Sequence, residues 1–309
     1  MHSVAPYLFR CYNKELDGRQ DQRYSTLDHI GQHDLFDLLK NFIIANSGAY
    51  RVVEDSKQVF QFSDLDFDEN TREISAWFNV GHYGIKTDII NIETGQVDFE
   101  KAQNNAEIIK HFVHFFIPRG FNEAIAFMHA YRGIGVKTLF HNLFSNYFAN
   151  ATNLVIQMNP LSYDNAVNAW LDATAKEIRI TKFVGLDDIA DQVRELGHSE
   201  QELVIKPPRN QGLGKLRDYL TAGSDRLQAI EFMGEYGSQI KTVVEMNKKQ
   251  KTFNIGRNVS TPLCEIEIDE EDIVMTEGVP EFNSIRRWVR EIVNDYARTM
   301  YPGINVRVA

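Results

Sequence analysis

Asp64, Asp66 and Asp68 alternate along the chain, and alternate residues of a strand project to one face. Three carboxylates on a shared face could hold magnesium for phosphoryl chemistry. A solvated acidic strand end is the simpler account, because Asp68-Glu69-Asn70 reads as the turn that follows. A nuclease of the restriction-enzyme type would add Glu-x-Lys on a paired strand. The chain contains no Glu-x-Lys, and Gln239-Ile240-Lys241, with Glu235 before it, is the nearest substitute.

Other spacings fail on their chemistry. A phosphate loop needs Gly directly before Lys-Ser/Thr, so that backbone amides wrap the phosphates as the lysine reaches them. In Arg132-Gly133-Ile134-Gly135-Val136-Lys137-Thr138, Val136 intervenes. In Asn210-Gln211-Gly212-Leu213-Gly214-Lys215, Leu216 replaces the magnesium-binding hydroxyl. Both segments read as glycine turns into helices. His111 and His114 have the spacing of two metal ligands on a helix, but KHFVHFFI reads as a strand, where residues three apart face opposite ways. Arg23 and His29 match a ribonuclease spacing only loosely, and the remaining histidines form no zinc pattern. Cys11 and Cys264 supply neither a disulfide framework nor a cysteine zinc site, which fits a reducing cytoplasm. No catalytic residue is assigned, and no metal or other cofactor is expected.

The elements that would position these residues are legible in part. Residues 4–12 are apolar and strand-like, and 34–45 carry Leu35, Leu38, Leu39 and Phe42 at helical spacing. Residues 59–67, 72–80 and 85–92 then predict an antiparallel meander, with a turn at Gly81-His82-Tyr83-Gly84. Pro118-Arg119-Gly120-Phe121-Asn122 forces a turn between two apolar runs, the strongest hairpin signal present. Residues 137–149 read as a helix. From residue 153 the pattern alternates: strand 154–158, helix 163–175, strand 177–183, helix 186–196, strand 202–206, suggesting a crossover layer. Strands at 239–246, 251–255 and 263–268 follow. Pro280 and Pro302-Gly303 bracket a closing helix, 281–301. The fold class is α+β (mixed α/β): an antiparallel meander, then an alternating strand/helix layer, then a long C-terminal helix. The domains are 1–150, strand-rich, and 151–309, α/β, unless the two halves share one sheet.

The composition, 43% hydrophobic and 25% charged, excludes rods, collagen and wholly disordered chains. No apolar run approaches ~18 residues, so no membrane span is expected, and the N-terminus lacks the pattern of a signal peptide. The net charge of −10 excludes a chain coated evenly with nucleic-acid contacts. Charge is uneven, however. Residues 204–257 hold ten Lys/Arg against five Asp/Glu, a net of +5, while residues 258–281 hold eight acidic residues and no basic one. Three basic groups stand out. Lys206, Arg209, Lys215 and Arg217 lie on a segment that Pro207-Pro208 keeps out of regular structure. Lys248, Lys249 and Lys251 mark a cationic hairpin tip, and Arg286, Arg287 and Arg290 lie on the closing helix. Together they are the candidate nucleic-acid-binding residues, since exposed cations beside glycines read phosphate.

The segment HFFIPRGFNEAIAFMHAYRGIGVKTLFHNLFSNYF, residues 114–148, resembles bacterial proteins of anti-phage defence islands, the Kiwa B-like cytosolic proteins. The likeness lies in strand, turn, strand, then Gly-Ile-Gly-Val-Lys-Thr before an apolar helix. It covers roughly a tenth of the chain. It implies a cytosolic defence protein that engages nucleic acid, DNA rather than RNA, without catalysis of its own. The competing readings are a metal-dependent nuclease using Asp64, Asp66 and Asp68, and a protein–protein adaptor using the acidic run Asp269-Glu270-Glu271-Asp272. A partner protein encoded nearby stays open. A homo-oligomer is expected, with the closing helix at its interface and the acidic run pairing the helix arginines.

Overall fold

Apolar residues recurring every second position build the first part of the chain into strands, and two stripes of period 3.6 cover them. The computed structural model describes residues 2–19, 23–161, 170–181, 202–209, 211–221, 223–234, 239–246, 249–255, 264–268, 271–301 and 303. The chain groups into two units. Unit 1 comprises Met1–His2, Tyr7–Asn159 and Ile268–Ala309, and unit 2 comprises Ser3–Pro6 and Pro160–Glu267. The closing helix, expected with the second half, therefore groups with the first unit.

In chain order, unit 1 contains β1 (His2–Tyr12, from Tyr7 on), β2 (Tyr24–Ser25), α1 (Leu35–Ala45), β3 (Arg51–Val53), β4 (Gln58–Asp68) and β5 (Glu73–His82). It continues with β6 (Thr87–Ile90), β7 (Val97–Lys101), β8 (Glu107–Phe116), β9 (Ala124–Tyr131), β10 (Ile134–Gly135), α2 (Lys137–Thr152) and β11 (Val155–Pro160). Its sheet runs β1-β9-β8-β5-β4-β3. Strand β5 pairs with β8 throughout, from Glu73↔Phe116 to His82↔Glu107. The meander is thus interrupted: β6 and β7 leave the sheet and pair only with each other among the described residues. The hairpin at Pro118 joins β8 to β9 as read, with Gly120 at φ 77°. Arg132 and Gly133, at φ 50° and 77°, turn β9 into β10, so that glycine segment is a hairpin turn before α2.

Helix α1 starts where Asp34 accepts the Phe36 N–H, a side-chain N-cap. Its Phe42 meets Phe140 and Phe144 of α2, while Phe140 also meets Phe62, Phe78 and Phe115 of the sheet. That buried aromatic cluster is one core layer. Adjacent strand residues face oppositely, so Trp77 and Phe112 lie on the other side of the sheet, where they meet Phe282.

Unit 2 contains β12 (Thr174–Thr181), β13 (Glu202–Ile205), a 3-10 turn (Leu216–Tyr219), α3 (Asp225–Met233), β14 (Gln239–Met246), β15 (Lys249–Ile255) and β16 (Cys264–Glu267). The order is β13-β12-β14-β15-β16, and every described pairing is antiparallel. Helix α3 keeps some alternation of strand and helix, but the described strand pairings of unit 2 include no parallel one. The helix expected over 163–175 is also corrected at its end. Thr174 and Ala175 extend β12, because they pair with Glu245 and Val244. Residues 162–169 and the helix expected over 186–196 lie outside the described residues. The chain returns to unit 1 through β17 (Met275–Thr276), β18 (Val279–Pro280) and α4 (Phe282–Met300). In α4, Ile285, Val289, Val293, Tyr296 and Ala297 are buried. Trp288 and Ile292 of the same helix are half-buried.

Candidate nucleic-acid interface

Past Pro207-Pro208 the chain continues in the direction of β13 along the start of β12, where Thr174 and Lys215 form an antiparallel bridge. The Leu213 N–H donates to the Ala175 carbonyl and the Ala175 N–H to the Gly214 carbonyl, both at 2.7 Å. The Leu216 N–H donates to the Ala173 carbonyl at 3.0 Å. Gly212 is required by this close approach, since a Cβ there would overlap the Thr174 methyl. Gly214 takes φ 104°. The glycines therefore serve strand docking, which leaves the neighbouring cations on a pinned ledge.

On that ledge, Lys206 reaches Glu177 at 3.1 Å with its side chain 67% exposed. Lys215 and Arg217 share Asp172, at 3.0 and 2.6 Å. Lys215, foremost among its neighbours, holds the Asp172 carboxyl below the usual range. Arg209 is exposed and has no ion pair among the described residues. Lys249 and Lys251 sit at the start of β15, opposite Met246 and Val244, and Lys248 lies outside the described residues.

The helix arginines differ. Arg286 and Arg290, expected as surface cations, are engaged by carboxylates of the sheet, and Arg287 alone of the three is exposed. Arg286 pairs with Asp66 at 2.6 Å. Arg290 is 6% exposed and its Nε lies 2.6 Å from Glu73 Oε2, with Asp68 at 3.9 Å. Two separately suspected groups, the magnesium carboxylates and the phosphate-reading arginines, thus neutralise each other. The register explains how. Asp66 stands opposite Ser75 and Asp68 opposite Glu73, so all four share the face beneath α4. Asp64 does not join them. Ser63 pairs with Trp77 and Asp66 with Ser75, so Asp64 and Leu65 form a bulge, with Asp64 at φ 50° and exposed. Of the acidic run, Glu271 and Asp272 are exposed, and Asp269 and Glu270 lie outside the described residues.

Beside this cluster, His114 is fully buried, with Nδ1 2.8 Å from Ser75 Oγ. Burial, aided by Arg290 and Arg286, pushes its pKa down to about 3. Burial raises Glu73 above the usual carboxylate range, although Arg290 opposes the shift. A second polar group escaped sequence reading. His2 Nε2 donates to the Gly278 carbonyl at 3.0 Å, so a neutral His2 accepts at Nδ1 from His129 Nε2, 2.9 Å away. His111 Nδ1 donates to the His129 carbonyl at 3.1 Å. These nitrogens are spent on one another and on backbone. Among the described residues, no group of three or more His, Cys, Asp or Glu is placed to hold a metal. No helix of the described residues is long and apolar enough to cross a membrane.

No protein-family model matches the chain, and no curated protein or solved structure matches it significantly.

Proposed function

We propose that the protein engages nucleic acid, with DNA preferred to RNA, through Lys206, Arg209, Lys215 and Arg217 of unit 2, as a cytosolic bacterial anti-phage defence protein without catalysis of its own. The observation that carries the binding reading is the pinned ledge. Its cations are solvent-facing, and the carboxylate that Lys215 and Arg217 share is exchangeable. Asp172 is 59% exposed, and surface ion pairs contribute roughly 0–1 kcal/mol, so a phosphate can displace such a partner. Lys249 and Lys251 of β15 add to the positive charge of the same unit. Arg286 and Arg290 are left out, because Asp66 holds the first and moving the second would strand the buried Glu73. The defence context rests on the resemblance of residues 114–148.

Fluorescence anisotropy with labelled duplex DNA and RNA tests this. Four neutralised phosphates give a log–log salt slope near −3.6, so affinity should fall roughly 100-fold between 50 and 200 mM salt. Replacing Lys215 and Arg217 by Ala should lower the slope by about 2. Salt-independent binding, no binding, or an unchanged slope in that variant would overturn the assignment.

A further inference from the structure

We infer that a second copy of this chain pairs with the outer edge of β6, joining two β6–β7 hairpins into a four-stranded antiparallel sheet about a two-fold axis at Thr87. The hairpin is a two-stranded sheet of its own, with Thr87↔Lys101, Asp88↔Glu100 and Ile89↔Phe99 opposed. All of β6, and β7 up to Glu100, is exposed. Two-stranded hairpins are marginal in water, and three or more strands with an apolar face are needed for independent stability. This hairpin nevertheless exposes large apolar groups. Ile89 is 49% exposed, Ile90 55%, Val97 51% and Phe99 51%. Ile89 and Phe99 lie on one face, directly opposite each other.

Charge chooses the occupant and the edge. An antiparallel copy along β7, centred on Phe99, would set Asp98 against Glu100 twice, and like charges directly opposite destabilise a sheet. Along β6, a register centred on Asp88 would set that carboxylate against its own copy. Centred on Thr87, the first residue of β6, an edge extended back through Lys86 and the bend at Ile85 would set Lys86 against Asp88 twice and Ile85 against Ile89 twice. A two-fold interface must be self-complementary in this way. Within one chain Lys86 reaches Glu100 at 2.8 Å, with both side chains more than 60% exposed, so its ammonium remains accessible to a second carboxylate. The paired sheet joins the Ile89 and Phe99 faces of both copies into one apolar surface.

Two measurements on the full chain test the inference. Directly opposed residues have Cβ atoms within disulfide reach, so Thr87→Cys should give a covalent dimer under mild oxidation, whereas Asp98→Cys and the unaltered chain should not. Light scattering at micromolar concentration should show a dimer that Asp88→Lys converts to monomer. Adding Lys86→Asp to that variant should restore the dimer, with the melting temperature of unit 1 unchanged throughout. A monomeric unaltered chain, a dimer indifferent to Asp88→Lys, a charge swap without rescue, or equal crosslinking at the β7 edge would overturn it.

Discussion

At the scale of single residues, burial without charge makes the histidines sensors of acid. His114 and His129 have folded pKa values pushed down to about 3, by burial first, against 6.5 for an exposed imidazole. A depressed folded value means that the unfolded chain binds the proton first as pH falls. Stability is therefore complete above about pH 6.5 and is lost on acidification towards 3. Each histidine should remove about 2 kcal/mol between pH 7 and 5. Glu73 opposes this lower in the range, since its raised pKa makes the folded state take up a proton more readily than the unfolded state. Urea titrations at both pH values should show the drop, and His129→Gln should reduce it by about 2 kcal/mol. Equal stability at pH 7 and 5 would contradict the neutral buried state. Arg290→Ala leaves Glu73 buried and unpaired, so it should cost about 3–5 kcal/mol. None of this was visible in sequence, because Arg290 and Glu73 lie 217 residues apart and a lone arginine at helical spacing reads as surface.

At the scale of elements, local signals carried well where one residue type forces one geometry. The spacing starts the helix at Asp34, and that residue is its cap. The same carboxylate grips the Arg72 guanidinium with both oxygens, at 2.7 and 2.8 Å, and Arg72 is 5% exposed at φ 57°. Asp34→Ala therefore removes a cap, worth about 1 kcal/mol, and also strands a buried cation. The expected loss is about 3 kcal/mol or more, read from the urea midpoint. Asp34→Asn keeps the cap and should cost less, and an Asn variant as stable as the unaltered chain would show that the buried Arg72 charge contributes nothing. Where sequence misled, the local pattern was right and the pairing was not. Residues 85–92 are strand-like, but alternation cannot tell a sheet strand from a free hairpin. The acidic alternation of residues 64–68 was equally real, yet the bulge at Asp64 shifts the face and only the partner strand reveals it.

At the scale of the molecule, unit 2 is an excursion in the chain of unit 1. Residues 160–267 leave, and 268–309 return with α4. The sequence shows the helix as an amphipathic stripe, but nothing local to the stripe says which sheet it covers. Its buried Ile285, Val289, Val293 and Tyr296 each contribute about 1.5–3 kcal/mol on burial. Their sum is of the order of the whole stability of a domain, about 5–15 kcal/mol. Removing the helix would also expose Trp77 and Phe112 and leave Glu73 and His114 without Arg290. A chain ending at Glu267 should therefore lose the cooperative unfolding of unit 1, although every strand of its main sheet remains. Near-UV circular dichroism and a urea melt would show this as lost aromatic signal and a broad transition. Adding residues 268–309 as a separate peptide should recover part of the signal, and a version carrying Arg290→Ala should recover less. A truncated chain that melts as sharply as the intact one would mean that the sheet and its Phe42–Phe140 layer hold unit 1 without the returning helix.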